Sequence, residues 1–325
     1  MNEETRGARV PDRSRLRPEV RRMLELRDAE PAMDLAITPA SEFRRDADAR
    51  LSRFWTRKDP LAGIETFAIQ GAGGAFRARL YPGGDGPRAI LYFHGGGWVV
   101  GSLDTHDGLL RALALAGKCK VFAVEYRKAP EAPFPAAVED AEAALAAIGS
   151  MSALGVDARK VIVAGDSAGA TLAAVLAQRA RQLGAPVLGQ MLVYPLTDAV
   201  TPRRSHRAFG DGFSLTRETM AWYLDQYCAD ADRRDPRISP FYAEDFEGLP
   251  PAYIVAADHD LLRDEARAYA ARLIEAGVSV AFEEWSGLPH GFMIMDEVTP
   301  AARRLCQSMG DWANRRWAAA ELEAS

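Results

Sequence analysis

Val161-Ile162-Val163-Ala164-Gly165-Asp166-Ser167-Ala168-Gly169 runs directly into Ala170-Thr171-Leu172-Ala173-Ala174-Val175-Leu176-Ala177. The first four residues are apolar and largely β-branched, which reads as a buried strand. The last eight are small and apolar, which reads as a helix buried against a sheet. Gly-x-Ser-x-Gly therefore sits at a strand-to-helix turn, the context that makes the pattern informative. In so tight a turn the serine is pushed into strained backbone angles, and flanking side chains would collide; Gly165 and Gly169 remove those side chains. The strain holds the Ser167 hydroxyl clear of the sheet edge, where a base can reach it. The N–H of Ala168, at the helix N-terminus, points where an oxyanion would form. A small-residue turn that happens to contain a serine is the competing reading, and the flanking strand and helix weigh against it.

The same rhythm extends outward. Ala89–Phe93, Val121–Tyr126, Gly189–Tyr194, Ala252–Ala257 and Ser279–Trp285 read as strands. They alternate with helices over Thr105–Gly117, with Asp104 or Thr105 as cap, Pro135–Ile148, Leu262–Ala276 and Thr299–Ala319. Phe67–Gln70 and Phe76–Tyr81 read as a hairpin around Gly71–Gly74. The expectation is a mostly parallel sheet of about eight strands, covered by helices on both faces, with an antiparallel hairpin at its start. Two helices precede every strand, Glu19–Asp28 and Glu42–Trp55, behind a flexible arm over residues 1 to about 18. Residues 199 to 250 break the alternation, with one helix at Thr216–Tyr227. These two stretches are expected to form a cap over the carboxyl edge of the sheet, where ligand sites of α/β folds lie. The resulting division is an N-terminal helical cap segment (1–60), core (61–198), cap insertion (199–250) and core (251–325).

Composition narrows the function classes. The chain has 325 residues, 48% of them hydrophobic, enough for a sizeable core. Lys and Arg number 40 against 45 Asp and Glu, a net charge of -5, which gives no reason to expect a nucleic-acid partner. Cys119, Cys228 and Cys306 lie far apart without C-x-x-C spacing and fit reduced thiols, neither a disulfide frame nor a zinc site. The polar N-terminal stretch has no apolar signal-like run, and no segment is apolar enough to span a membrane, so a cytoplasmic location is expected.

A nucleophilic serine needs a base, an acid to orient that base, and oxyanion donors. Of five histidines, His290 in Leu288-Pro289-His290-Gly291-Phe292 lies late in the chain, in a loop after the last strand, where a base belongs. The triplet in His94-Gly95-Gly96-Gly97-Trp98 frees backbone N–H groups to approach a ligand, which assigns the oxyanion donors to Gly95 and Gly96, joined by Ala168. His94 then stabilises the loop by hydrogen bonding. Trp98 reads equally as pocket wall or core. Phe54, Trp55, Phe209 and Phe213 are candidates for an acyl pocket, against ordinary packing within the cap. The orienting acid belongs after the next-to-last strand, where spacing does not choose between Asp258 and Asp260; Asp264 and Glu265 fall on the helix. Asp166 reads as a local hydrogen-bonding group.

Taken together, His94-Gly95-Gly96-Gly97-Trp98, Gly165-Asp166-Ser167-Ala168-Gly169, Tyr126-Arg127-Lys128-Ala129-Pro130-Glu131 with Phe134-Pro135, and His290-Gly291-Phe292 resemble the hormone-sensitive-lipase-like branch of the α/β-hydrolase family, over about residues 67 to 295. The resemblance implies an α/β-hydrolase fold with a helical cap and a serine carboxylesterase. Its Asp-Pro-Leu motif, followed by acidic residues, falls on Asp260-Leu261-Leu262 and Asp264-Glu265, with Leu261 in place of proline, so by resemblance the acid is Asp260. The order Ser167, Asp260, His290 is that of the family. Short- to medium-chain acyl esters are the expected substrates, with no metal or organic cofactor. An amidase, lactonase or acyltransferase with the same triad remains an alternative, as does a binding protein like the family's plant hormone receptor, against which the intact Ser167 and His290 argue. The family's homodimer would use Ser279–Trp285 and the helix carrying Leu305, Met309, Trp312 and Trp317, although an amphipathic terminal helix more often just covers its own sheet.

Overall fold

The structure, a computed structural model, describes residues 11–31, 33–150 and 154–323. Its sheet contains β1 (Glu65–Gly71), β2 (Gly74–Pro82), β3 (Ala89–Phe93), β4 (Lys120–Glu125), β5 (Val161–Asp166), β6 (Gly189–Val193), β7 (Ala252–His259) and β8 (Val280–Pro289). Their spatial order is β1-β2-β4-β3-β5-β6-β7-β8. β1 and β2 pair antiparallel, as do β2 and β4, and every later pair is parallel.

The central strands are buried along their whole length, so their side chains divide by period two between two cores. Ala89, Leu91 and Phe93 of β3 join Val161 and Val163 of β5 on one face. Ile90, Tyr92, Ile162 and Ala164 lie on the other. Helices α4 (Ala136–Ser150), α5 (Ala168–Arg179) and α8 (Arg263–Glu275) cover the first face. Helices α3 (Asp107–Gly117) and α9 (Ala301–Glu323) cover the second. The apolar positions of α9, among them Leu305, Met309, Trp312 and Trp317, are buried against its own sheet.

Among the described residues, four α-helices stand outside this sandwich: α1 (Pro18–Asp28), α2 (Ala40–Leu51), α6 (Arg204–Phe209) and α7 (Arg217–Cys228). The short α6 is not foreshadowed by apolar periodicity, because six residues are too few to show one. The expected flexible arm lies outside the described residues up to residue 10; from residue 11 it is held down. Leu16 is buried, the Arg13 Nε donates to the Gly212 carbonyl (2.8 Å), and the Arg17 N–H donates to the Gly287 carbonyl (3.0 Å).

The last strand runs past its expected end at Trp285 to Pro289: its pairing with β7 leaves register after Ala257–Trp285 and resumes at His259–Pro289, so the extra residues, Ser286 to Leu288, sit in β8. That extension delivers the residue after Pro289 to the carboxyl edge. Along α9, Trp317 is fully buried and its indole N–H donates to the Lys160 carbonyl (2.9 Å). Trp317→Ala should therefore cost about 3–5 kcal/mol in urea unfolding; a loss below about 1 kcal/mol would show that the terminal helix is not part of the core.

Candidate active site

Ser167 occupies the N-cap position of α5 at φ 53°, ψ -123°. Its N–H donates to the Val193 carbonyl (2.9 Å), tying the turn to the end of β6. A Cβ on Gly169 would lie 2.0 Å from the Phe93 carbonyl oxygen, and one on Gly165 would lie 2.4 Å from Gly169, so any side chain at either position would force the serine turn away from β3. The Ser167 hydroxyl makes no capping bond to α5. It lies instead 2.9 Å from His290 Nε2.

The opposite ring nitrogen, His290 Nδ1, lies 2.7 Å from Asp260 Oδ2. The other Asp260 oxygen accepts the Leu262 N–H (2.9 Å), and the carboxylate is buried. An ionised carboxylate only accepts, so Nδ1 carries the proton and Nε2 presents its lone pair to the Ser167 hydroxyl. The Ser214 hydroxyl donates to the His290 carbonyl (2.6 Å), and the Tyr194 ring packs 4.6 Å from the imidazole centroid. Asp258, the alternative acid, is engaged elsewhere: its Oδ1 lies 2.6 Å from His259 Nδ1 and accepts the Leu288 N–H (3.1 Å). The two carboxylates, close in sequence, thus meet different partners, Asp258 beside His259 and Asp260 beside His290.

The glycine loop after β3 requires a correction. The Gly95 N–H donates to Asp166 Oδ1 (2.9 Å) and so is not free to meet a ligand. All three glycines line the cavity above Ser167, and the last two have positive φ, 125° at Gly96 and 57° at Gly97. Asp166 also accepts the Tyr92 hydroxyl (2.8 Å), with His106 Nε2 at 3.4 Å. Burial pushes the Asp166 carboxyl up, but His106, the Tyr92 hydroxyl and the Gly95 N–H outweigh it and hold its pKa below the usual carboxylate value. Sequence reasoning missed this role because it depends on a partner 71 residues away. His94 behaves as expected of a loop-stabilising group. Its Nδ1 lies 2.9 Å from the Gly95 carbonyl, its ring stacks on Tyr126 (4.3 Å), and the Tyr126 hydroxyl donates to its carbonyl (2.8 Å). Tyr126 thus buttresses this loop, while Arg127 pairs with the Asp140 and Glu139 carboxylates of α4.

Ser167, His290, Gly96, Gly97 and Ala168 open into one cavity of about 1050 Å³. Its walls come from α1 and α2 (Met23, Phe43, Leu51), from α7 (Met220, Tyr223, Leu224) and from the core (Leu196, Ile294), with charged residues such as Arg22, Glu30, Arg53 and Glu218 also bordering it. Trp98 lines it and also stacks on Tyr227 (4.1 Å), serving as wall and core at once. Phe54 borders it too. Phe209 and Phe213 are not among the lining residues: they pack on each other and on the His259 ring at 5.3 and 5.7 Å, because α6 turns their segment toward that histidine. Trp55 lies beneath Gly108 of α3, away from the cavity. Among the described residues, no cluster of three or more His, Cys, Asp or Glu side chains is arranged to hold a metal ion, and no helix is long and apolar enough to cross a membrane. The three cysteines are unpaired and buried.

Comparison with known proteins places the chain in a family. The pattern of the family described as the alpha/beta hydrolase fold matches residues 90–294. The Mycobacterium tuberculosis carboxylic ester hydrolase LipN is 43% identical over 242 residues, 71% of this chain and 64% of that protein, so the match spans less than two thirds of that relative. An ethyl acetate hydrolase of Pseudomonas putida is 37% identical over 302 residues, 88% of this chain and 95% of that protein. Among solved structures, a hyperthermophilic esterase from the archaeon Pyrobaculum calidifontis superposes with a TM-score of 0.87 at 36% identity, covering 93% of this chain and 98% of that one.

The loop around His94 leaves a signature in acid stability. Burial pushes the imidazole down to about 3 from 6.5. As pH falls, the unfolded chain takes up this proton before the folded one, so the contribution is full above about 6.5 and drains away toward about 3. Between about pH 7.5 and about pH 5.5, the wild type should lose about 1.4 kcal/mol more in urea unfolding than His94→Gln, which keeps a donor for the Gly95 carbonyl without the titration. Equal losses in the two proteins would show that His94 is not held neutral by the fold.

Proposed function

This chain belongs to the alpha/beta hydrolase family and hydrolyses carboxylic esters, and from that premise we propose that Ser167, His290 and Asp260 are its nucleophile, general base and orienting acid. The observation that carries the proposal is the unbroken row from the Ser167 hydroxyl through both nitrogens of His290 to the Asp260 carboxylate, 2.9 and 2.7 Å per link. Ser167 Oγ attacks the ester carbonyl carbon while His290 Nε2 takes its proton. The carbonyl oxygen becomes an oxyanion, met by the N–H groups of Gly96, Gly97 and Ala168, with Gly95 withdrawn to anchor the loop. Such donors act on charge present only in the transition state, and each is typically worth about a hundredfold or more in rate. The tetrahedral intermediate expels the alcohol, which receives the proton from His290. Water, deprotonated by His290, then attacks the acyl-enzyme and frees the acid and Ser167. Asp260 stabilises the imidazolium in both halves.

The substrates are short- to medium-chain acyl esters. A volume of about 1050 Å³ lies just above the roughly 300–1,000 Å³ usual for small-molecule sites, and an apolar wall with a charged border suits an apolar acyl group of limited length. The relative named ethyl acetate hydrolase supports the short end of that range.

A stopped-flow comparison with p-nitrophenyl acetate, butyrate, octanoate and palmitate tests this. The wild type should release a burst of nitrophenol from the shorter esters and little from palmitate, and Ser167→Ala should lose both the burst and at least about a thousandfold in kcat. Steady turnover in folded Ser167→Ala would overturn the assignment of the nucleophile.

A further inference from the structure

The acid of the proposed triad sits in a turn, and that turn is gripped from outside the core. Between Asp260 and the first turn of α8 the backbone is ordered by two local bonds: the Leu262 N–H to Asp260 Oδ1 (2.9 Å) and the Arg263 N–H to the Asp260 carbonyl (3.2 Å). Ser205 reaches across from α6, a six-residue helix in the 199–250 insertion. Its hydroxyl donates to the Leu261 carbonyl (2.6 Å) and accepts the Asp264 N–H (3.3 Å), spanning the turn. Its own N–H donates to Asp264 Oδ2 (3.0 Å). The Asp264 N–H is one of the orphan donors that a helix start leaves without an internal partner. Ser205 has no measurable exposure, and its neighbour His206 is also buried, with Nε2 3.4 Å from Glu265 Oε2 of α8.

A serine that only held α6 in place would need one such bond. This one closes a ring of hydrogen bonds around the peptide directly after the acid, in a polar network where no competing water reaches the hydroxyl. We infer that Ser205 is a positioning residue for ester hydrolysis, which holds the 261–264 turn so that the Asp260 carboxylate stays aligned with His290 Nδ1. This rests on Asp260 being the orienting acid. It also makes α6 a mechanical link between the insertion whose other helix, α7, walls the cavity and the acid that serves the base: a displacement of the insertion reaches Asp260 through this hydroxyl.

The test is a set of substitutions assayed with p-nitrophenyl butyrate. Ser205→Ala should lower kcat about tenfold with KM changed less than about twofold, because misalignment impairs the chemical steps and leaves the cavity intact. Thr and Val have nearly the same shape, so Ser205→Thr should retain several times the kcat of Ser205→Val if the hydroxyl is what matters. In an Asp260→Ala background, Ser205→Ala should have no further effect on kcat, since a residue acting through Asp260 has nothing left to position. The inference falls if Ser205→Ala leaves kcat unchanged, if the Thr and Val variants match, or if the Ser205 effect multiplies in full on top of Asp260→Ala. A folded Asp260→Ala enzyme with wild-type kcat would instead overturn the assignment of the acid itself.

Discussion

The backbone of Ser167 is held at positive φ because two chain segments meet there with no room for a side chain between them. Gly169 lies against the carbonyl of Phe93 at the end of β3, Gly165 lies against Gly169, and the Ser167 N–H is tied to the end of β6. Strain of this kind costs on the order of 1–3 kcal/mol and persists only where the surroundings over-determine it. Here they do: β3, β5 and β6 are adjacent buried strands whose ends cannot shift independently. The packed sheet therefore performs the positioning, and the hydroxyl needs no bond of its own to stay exposed to His290.

Two buried aspartates complete the site, and they divide the electrostatic work. Asp260 offers one oxygen to a backbone N–H and the other to His290, as the orienting acid of the proposed triad. Asp166, next to the nucleophile in sequence, points the other way and collects Tyr92, His106 and the Gly95 N–H. Its charge is spent on the loop from which the next two glycines project into the cavity. A buried carboxylate without such partners would be far too costly to keep ionised. The His94 imidazole, in the same loop, takes the opposite solution to burial and stays neutral. The insertion adds a further layer, walling the cavity through α7 and touching the acid turn through α6.

Much of this was legible from local pattern. The strand cores at Ala89–Phe93 and Val161–Ala164 were readable because buried parallel strands are continuous apolar runs. Ser167 and His290 were readable because each is tied to a strand end by glycines or proline. The acid was not legible in the same way. Asp258 and Asp260 meet different partners where the β7–β8 register shifts, and a register shift has no mark in an apolar run. Gly95 was misread for a related reason: three consecutive glycines look alike until the Asp166 carboxylate claims the first N–H. Phe209 and Phe213 were plausible pocket walls by composition alone, and their packing on His259 depends on the turn of α6, which is too short to show a period.

The sequence by itself determined the alternation of strands and helices, the turn that strains Ser167, and the late histidine, since all of these follow from steric rules acting over a few neighbouring residues. The tertiary structure decided which aspartate meets His290, which glycine N–H groups remain free, and which cap residues wall the cavity. Those outcomes are competitions between hydrogen-bonding and packing partners tens of residues apart, and a donor or a ring can satisfy only the partner that folding brings within reach.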